Sequence, residues 1–156
     1  MTGGGSSIPE VQALLRVLAA GRNVVEIGTA FGDAAVAMAE TARSVVTAER
    51  DPERAAVARR RLAGLANVEL LEGDWREALG GRGPFGLFFF DAGPDYDFET
   101  AFDYLEPGGL LVKDDLTPGR PVEGDAAREF LLRDPRLAAV EILTTPRSAA
   151  IVAVRR

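Results

Sequence analysis

The sequence predicts an α/β fold: a mostly parallel sheet with helices on both faces and an antiparallel hairpin at its C-terminal end. Three observations predict it. Apolar runs of strand length alternate with helical stretches along the chain, as when strands are joined by crossover helices. The run FGLFFF at residues 85–90 is apolar almost throughout, which suits a central strand buried on both faces. And NVVEIGTAFGD, residues 23–33, joins a short strand, a glycine turn and a helix start in one unit.

That unit organises the chain. Gly28 can take a backbone conformation that side chains forbid, and Gly32 lets another backbone or a ligand come close. The first amides of the following helix face whatever lies above the turn. Open α/β sheets build ligand sites at the carboxyl ends of their strands in this way. The spacing narrows the ligand. A dinucleotide fold asks for G-x-G-x-x-G and a phosphate loop for G-K-[ST]. Here Thr29, Ala30 and Phe31 separate two glycines, and the only lysine is the distant Lys113. The pattern is not that of a pyrophosphate or triphosphate loop, and a nucleotide-dependent oxidoreductase is disfavoured.

Residues 1–7, MTGGGSS, read as a flexible start. Residues 8–20 read as a helix with Ser7 as cap, Pro9 in the first turn and Val11, Leu14, Leu15 and Leu18 on one face. After the strand, turn and helix of residues 23–40, residues 44–49 form a second strand. Asp51 then caps a helix that has Pro52 at its first position and runs to residue 65. Residues 67–71 form a third strand and 76–79 a helical turn, which the glycines and proline of 80–84 break. The central strand, 85–90, precedes a helix over 96–105 with Phe98, Phe102 and Leu105 on one face. Residues 106–109 read as a turn, 110–113 as a fifth strand, 116–124 as a loop and 125–133 as a helix. Strands at 140–144 and 149–154 close the chain as a hairpin around 145–148.

A chain of 156 residues is one domain, with 47% hydrophobic and 27% charged residues, the balance of a soluble globular protein. It has no cysteine and no histidine, which removes thiolate chemistry, the usual general base and the commonest metal ligands. A metal here must use oxygen ligands, favouring magnesium, calcium or manganese over zinc. The net charge of −6 argues against a nucleic-acid partner. The cluster Arg59, Arg60 and Arg61 reads as a solvated helix face. No apolar run has the length of a membrane span, and the start lacks signal-peptide character. The cytoplasm is the expected location, and a homodimer is left open.

Acids fall at the predicted strand ends: Glu49, Asp74, Asp91, Asp114 and Asp115. In a parallel sheet these ends share one rim, the rim of the glycine turn. So many carboxylates repel one another unless ligands or cations compensate. Glu49 lies about twenty residues past Gly28, where an acid takes a ribose diol. Asp74 can accept from an adenine amine. Trp75 can pack on the ring or serve as a core aromatic. Phe31, Tyr96 and Phe98 can line an aromatic site or the core.

E-I-G-T-x-x-G resembles the first motif of the class I S-adenosylmethionine-dependent methyltransferases. VVEIGTAFGD, VVTAERDPERAAVAR, ELLEGDWREAL, GPFGLFFFDAG and YLEPGGLLVKDDL are similar, in order and spacing, to successive motifs of the catechol-type, metal-dependent O-methyltransferases. The tail REFLLRDPRLAAVEILTTPRSAAIVAVRR is similar to that family's last helix and hairpin. The resemblance implies a Rossmann-like, seven-stranded sheet, S-adenosylmethionine as cofactor, and methyl transfer to a hydroxyl of a small molecule. It implies cofactor contacts from Glu26, Gly28, Thr29, Phe31, Gly32, Glu49, Arg50, Asp74, Trp75 and Asp91, with Asp91 also catalytic. In the family, an acid ending the fourth strand and an acid–amide pair ending the fifth bind magnesium; here those places hold Asp91, Asp114 and Asp115. Side chains alternate along a strand, so both members of the pair reach one ion only if the chain leaves the strand near Asp114. Leu116-Thr117-Pro118-Gly119 supplies such a break.

The chain departs from the family in three places. Pro94 stands where a lysine deprotonates the acceptor, an acid replaces the amide at Asp115, and the helical sequence before the glycine turn is short. The site is therefore expected to be more open, or completed by another subunit. A metal-independent enzyme and a cofactor-binding protein without methyl transfer are the alternatives.

Overall fold

The computed structural model describes residues 7–93 and 96–156. In chain order the elements are α1 (Pro9–Leu18), β1 (Asn23–Ile27), α2 (Asp33–Ala39), β2 (Ser44–Glu49), α3 (Pro52–Leu62), β3 (Val68–Glu72), α4 (Trp75–Ala78), β4 (Phe85–Phe90), α5 (Phe98–Asp103), β5 (Leu105–Leu116), α6 (Ala126–Arg133), β6 (Leu137–Thr145) and β7 (Ser148–Arg155). The strands form one seven-stranded sheet in the order β3-β2-β1-β4-β5-β7-β6. β1 to β5 run parallel, and β7 pairs antiparallel with both β5 and β6. The expected Rossmann-like architecture is the observed one. The strand order reverses at β1 and β4, where open sheets of this kind place ligands.

The central strand explains the layering. Every residue of β4 is buried, and its side chains alternate between two cores. Phe88 and Phe90 join Trp75, Phe98, Phe102 and Leu131 beneath α4, α5 and α6. Leu87 and Phe89 join Val11, Leu15, Met38 and Leu62 beneath α1, α2 and α3. A strand without a polar face thus requires helices on both sides of the sheet.

Helix starts follow the acids. Asp51 accepts from the amides of Glu53 and Arg54, Asp97 from Thr100 and Asp125 from Arg128, each meeting amides that the first helical turn leaves open. The expected cap at Ser7 does not form. Ile8 is the N-cap of α1 and no side chain caps it; the Ser7 carbonyl instead accepts from Gln12 at 2.6 Å. Three strands are longer than expected, β7 by one residue at each end and β5 and β6 by more. The turn at 106–109 is absorbed into β5 as an irregularity, because pairing resumes from Phe85–Leu105 to Leu87–Leu110 across it. β6 begins at Leu137, whose side chain enters the aromatic core.

Gly28 has the expected positive φ and also takes the close backbone approach expected of Gly32. Gly28 has φ +91, and a Cβ there would lie 2.8 Å from the Asp91 carbonyl oxygen. Gly32 has φ +90, but a Cβ there would meet only side chains in ordinary contact, Leu62 at 3.5 Å and Arg61 at 3.7 Å. The close backbone approach therefore belongs to Gly28, and Gly32 serves as the left-handed entry to α2. Gly28→Ala is expected to destabilise the fold by roughly 2–4 kcal/mol, combining backbone strain with overpacking. Urea unfolding measures this, and a loss within experimental error of zero would refute the close approach.

Candidate functional site

The carboxyl ends of β1 to β5 form one rim, and the glycine turn and the strand-end acids meet there. Gly28 and Thr29 donate their amides to the Ala48 carbonyl at 2.9 and 3.2 Å, which ties the turn to β2. Ala30 then takes φ 48, an uncommon value for a residue with a side chain, and donates its amide to Glu49 Oε2 at 2.9 Å. Asp51 donates its amide to Glu49 Oε1 at 3.0 Å. Glu49 is therefore fixed between the turn and the start of α3, only 6% exposed. Each of its oxygens keeps a further lone pair for a ligand.

The remaining residues of the expected cofactor set divide. Phe31 is 40% exposed on the turn, and Arg50 is exposed beside Glu49. Asp74 caps α4 by accepting from Arg76 at 2.9 Å and stays exposed. Trp75, expected either on a ligand ring or in the core, is in the core. It is 5% exposed and packs edge-on against Phe88, Phe90 and Tyr104 at centroid distances of 5.7, 6.1 and 6.4 Å. The Arg76 guanidinium lies over its ring at 4.7 Å. Tyr96 is 41% exposed, and its ring begins a stack with Phe98 and Phe130. Pro94 lies outside the described residues.

Behind the turn runs a buried polar chain. Thr29 and Thr47 share a hydroxyl hydrogen bond of 2.6 Å, and Thr47 donates to Glu26 Oε2 at 2.6 Å. Glu26 is fully buried, and its Oε1 has no partner. Burial pushes its carboxyl up to about 8, against the Thr47 hydrogen bond, and the charges of Asp114, Glu49 and Asp33 push the same way.

The sharpest feature is the acid trio. One carboxylate oxygen each from Asp91, Asp114 and Asp115 lies within 4.8 Å of the others. The pairing of Phe90 with Lys113 sets Asp91 beside Asp114. Asp115 joins them in a way the sequence reading does not anticipate, because β5 does not end at Asp114 but runs on to Leu116. Asp115 takes φ 59, and between the Lys113–Ile151 and Leu116–Ala149 pairs β5 holds one residue more than β7. This bulge re-aims consecutive side chains toward one place. Burial, first, and then neighbouring carboxylates raise both Asp91 and Asp114 well above the ordinary aspartate range.

The residues fit a hard divalent cation. The donors are oxygens, and Asp114 is 1% exposed with an Oδ1 that has no hydrogen-bond partner. A buried carboxylate oxygen without a donor is costly, and a cation among the three acids would satisfy it.

Two groups near the trio escape the sequence reading. Lys113 is 5% exposed and donates to the Asp114 carbonyl at 2.9 Å; a lone lysine inside the apolar run LLVKDD was the available signal. Arg128, 1% exposed, donates to both Glu141 oxygens at 2.8 and 2.7 Å, to Asp125 at 2.6 Å and to the Thr117 carbonyl at 2.8 Å. It clamps the backbone just beyond the trio, and no local pattern marks it.

Comparison with known proteins agrees with the fold. A family model described as a methyltransferase domain matches residues 25–116. A protein-L-isoaspartate O-methyltransferase of Rhodopseudomonas palustris is 36% identical over 121 residues, which are 76% of this chain and 52% of that protein. The chain spans 51–64% of the length of several curated relatives it matches. Among solved structures, the O-methyltransferase from Bacillus cereus in complex with S-adenosylhomocysteine has a TM-score of 0.80 at 25% identity, covering 97% of this chain and 83% of that one. The O-methyltransferase TomG from Streptomyces achromogenes, involved in tomaymycin synthesis and solved with S-adenosylmethionine, has a TM-score of 0.74 at 27% identity, covering 99% and 83%. No helix among the described residues is long and apolar enough to cross a membrane.

The raised acids make stability depend on pH. A carboxyl whose folded pKa lies above its unfolded value binds its proton more tightly in the folded state. Stability is then fully present below the unfolded pKa and is lost as pH rises through the folded one. For Glu26 the window runs from 4.5 to about 8, and Asp91 and Asp114 act in the same sense. With no histidine in the chain, no ordinary side chain titrates there. In excess chelator the melting temperature is expected to fall by roughly 5 °C between pH 5.5 and pH 8, and Glu26→Gln should flatten the slope. A melting temperature that rises over this range would contradict the assignment.

Proposed function

The chain belongs to the methyltransferase-domain family, among the class I S-adenosylmethionine-dependent enzymes, and from that premise we propose that it transfers the methyl group of S-adenosylmethionine to a hydroxyl oxygen of a small-molecule acceptor, with a divalent cation held by Asp91, Asp114 and Asp115. One observation carries this reading: the glycine turn with its fixed Glu49 and the three-carboxylate cluster share one rim, joined where Gly28 meets the backbone of Asp91.

The roles follow from each group's surroundings. Glu49, already oriented by two backbone amides, accepts from the ribose diol. Gly28, Thr29, Phe31 and Gly32 line the turn against the cofactor, with Arg50 beside Glu49 and Asp74 at the adenine. Glu26 backs the turn through Thr47 and Thr29. Trp75, within the core, supports the floor of the adenine end. In the transfer, the acceptor oxygen bonds to the methyl carbon as the carbon–sulfur bond breaks, that bond's electron pair stays on the sulfur of S-adenosylhomocysteine, and the hydroxyl proton passes to water. The sulfonium already activates the methyl, so the protein's main task is alignment. Magnesium suits the oxygen donors and, when bound, lowers the pKa of a coordinated hydroxyl and fixes its direction. Asp91 is catalytic in this sense, as a ligand that places the acceptor.

A second reading is methylation of a protein carboxyl, motivated by the protein-L-isoaspartate O-methyltransferases among the relatives. Without a bound cation, a carboxylate acceptor would have to approach three acids, which like-charge repulsion opposes. Incubation with S-adenosylmethionine, magnesium and a panel of phenols, hydroxy acids and an isoaspartyl peptide separates the readings by mass spectrometry. We expect a methyl ether product that disappears with chelator and returns with magnesium. A methyl ester on the peptide in excess chelator would favour the second reading, and tight cofactor binding without any product would favour a binding protein.

Two substitutions test the residues. Glu49→Gln should weaken S-adenosylmethionine binding by about 1–3 kcal/mol, the worth of charged hydrogen bonds to a ligand, measured by calorimetry; unchanged affinity would reject the ribose role. Asp91→Ala should abolish magnesium-dependent turnover while the cofactor still binds, and retained turnover would leave the trio without a catalytic part.

A further inference from the structure

Lys113 stands in β5 between Phe90 of β4 and Ile151 of β7. It is the chain's only lysine and is 5% exposed. Placing an ammonium in such a strand is costly unless charge compensates it. Its recorded hydrogen bond, to the Asp114 carbonyl at 2.9 Å, uses one of three donors and brings no negative charge. The compensating charge lies in the acid trio. Lys113 directly precedes Asp114 and pairs with Phe90, the residue before Asp91, which sets it next to both acids in the sheet. Asp114 is itself 1% exposed, and its Oδ1 has no partner.

The charges in this small volume can be counted. Ionised, Asp91, Asp114 and Asp115 carry three negative charges within a 4.8 Å cluster, and Lys113 carries one positive charge beside it. We propose that Lys113 is the built-in counter-charge of the cluster, leaving a net of two negative charges and so matching the site to a divalent rather than a trivalent cation. The inference rests on the cation reading given under Proposed function. Lys113 is not a ligand, because a charged ammonium has no lone pair to offer. It acts through the acids, and it distinguishes this site from a bare acidic patch, where added negative charge would be unopposed.

Calorimetric titration of magnesium chloride and lanthanum chloride into the cation-free chain tests this without reference to turnover. The readout is the ratio of lanthanum to magnesium affinity, which cancels general losses of site geometry. Lys113→Gln keeps a donor for the Asp114 carbonyl and removes only the charge. It should raise the ratio by at least about tenfold, because the extra unit charge of the trivalent ion now meets an unopposed carboxylate a few ångströms away. Lys113→Arg, which keeps the charge, should leave the ratio within about threefold of the parent, a difference of less than one unit-charge interaction. Lys113→Gln combined with Asp115→Asn, which restores the net charge, should return it to the same range. Should Lys113→Gln fail to fold, Lys113→Met, an apolar replacement of similar length, supplies the same comparison. An unmoved ratio in the neutral variant, with magnesium binding intact in the parent, overturns the counter-charge. A parent chain that binds neither ion overturns the cation site itself, and the counter-charge with it.

Discussion

Where β1 ends, the backbone of Gly28 passes so close to the backbone of Asp91 that no side chain fits between them. The Asp91 amide in turn donates to the Ile27 carbonyl at 2.9 Å. This one contact joins the turn that follows β1 to the acid that follows β4, at the point where the sheet's connectivity reverses. Everything at the rim is built outward from it. On one side Glu49 gathers the amides of Ala30 and Asp51. On the other, the pairing of β4 with β5 sets Asp114 beside Asp91. Separating the two backbones by the width of a methyl group would separate the glycine turn from the carboxylate cluster.

Local strain marks the same place. Among the described residues, the positive-φ positions that are not glycine are Ala30 and Asp115. Both lie on the rim, and each redirects a polar group: the Ala30 amide onto Glu49, and the Asp115 carboxylate toward its neighbours. Sparsely populated backbone conformations persist where surrounding structure over-determines them, and they concentrate at functional sites. The paired strands β4, β5 and β7 supply that determination for Asp115. The same tension appears in the electrostatics, where Glu26, Asp91 and Asp114 are all pushed toward their protonated forms, chiefly by burial.

Much of this arrangement is legible in the sequence, and the reasons are local. An apolar run followed at once by an acid announces a strand end, and a parallel sheet gathers strand ends on one rim. That logic reaches Glu49, Asp91 and Asp114 without coordinates. The parts that escape depend on contacts between segments far apart in the chain. The bulge at Asp115 follows from the register of β5 against β7, which no window around Asp115 contains. Trp75 turns inward because Phe88, Phe90 and Tyr104 lie beneath it. Gly28 rather than Gly32 takes the tight contact because β4 lies beside β1, whereas α3 stands farther off. Lys113 is visible as an anomaly in its strand, but its purpose needs the charges that only folding brings near.

The Arg128 clamp has a consequence for how such a protein can diversify. The segment between the acid pair and α6 hangs from two fixed points. At one end Leu116 pairs with Ala149 and the Thr117 carbonyl is held by Arg128; at the other, Asp125 is held by the same guanidinium. A buried, bidentate anchor on Glu141 keeps that guanidinium in place. Residues 118–121 can therefore vary in length and chemistry between these abutments, whereas Glu123 pairs with Arg133 and Gly124 donates to Glu129 on the helix side. Since surface loops tolerate change best, this span can be remodelled without retuning the carboxylates that precede it.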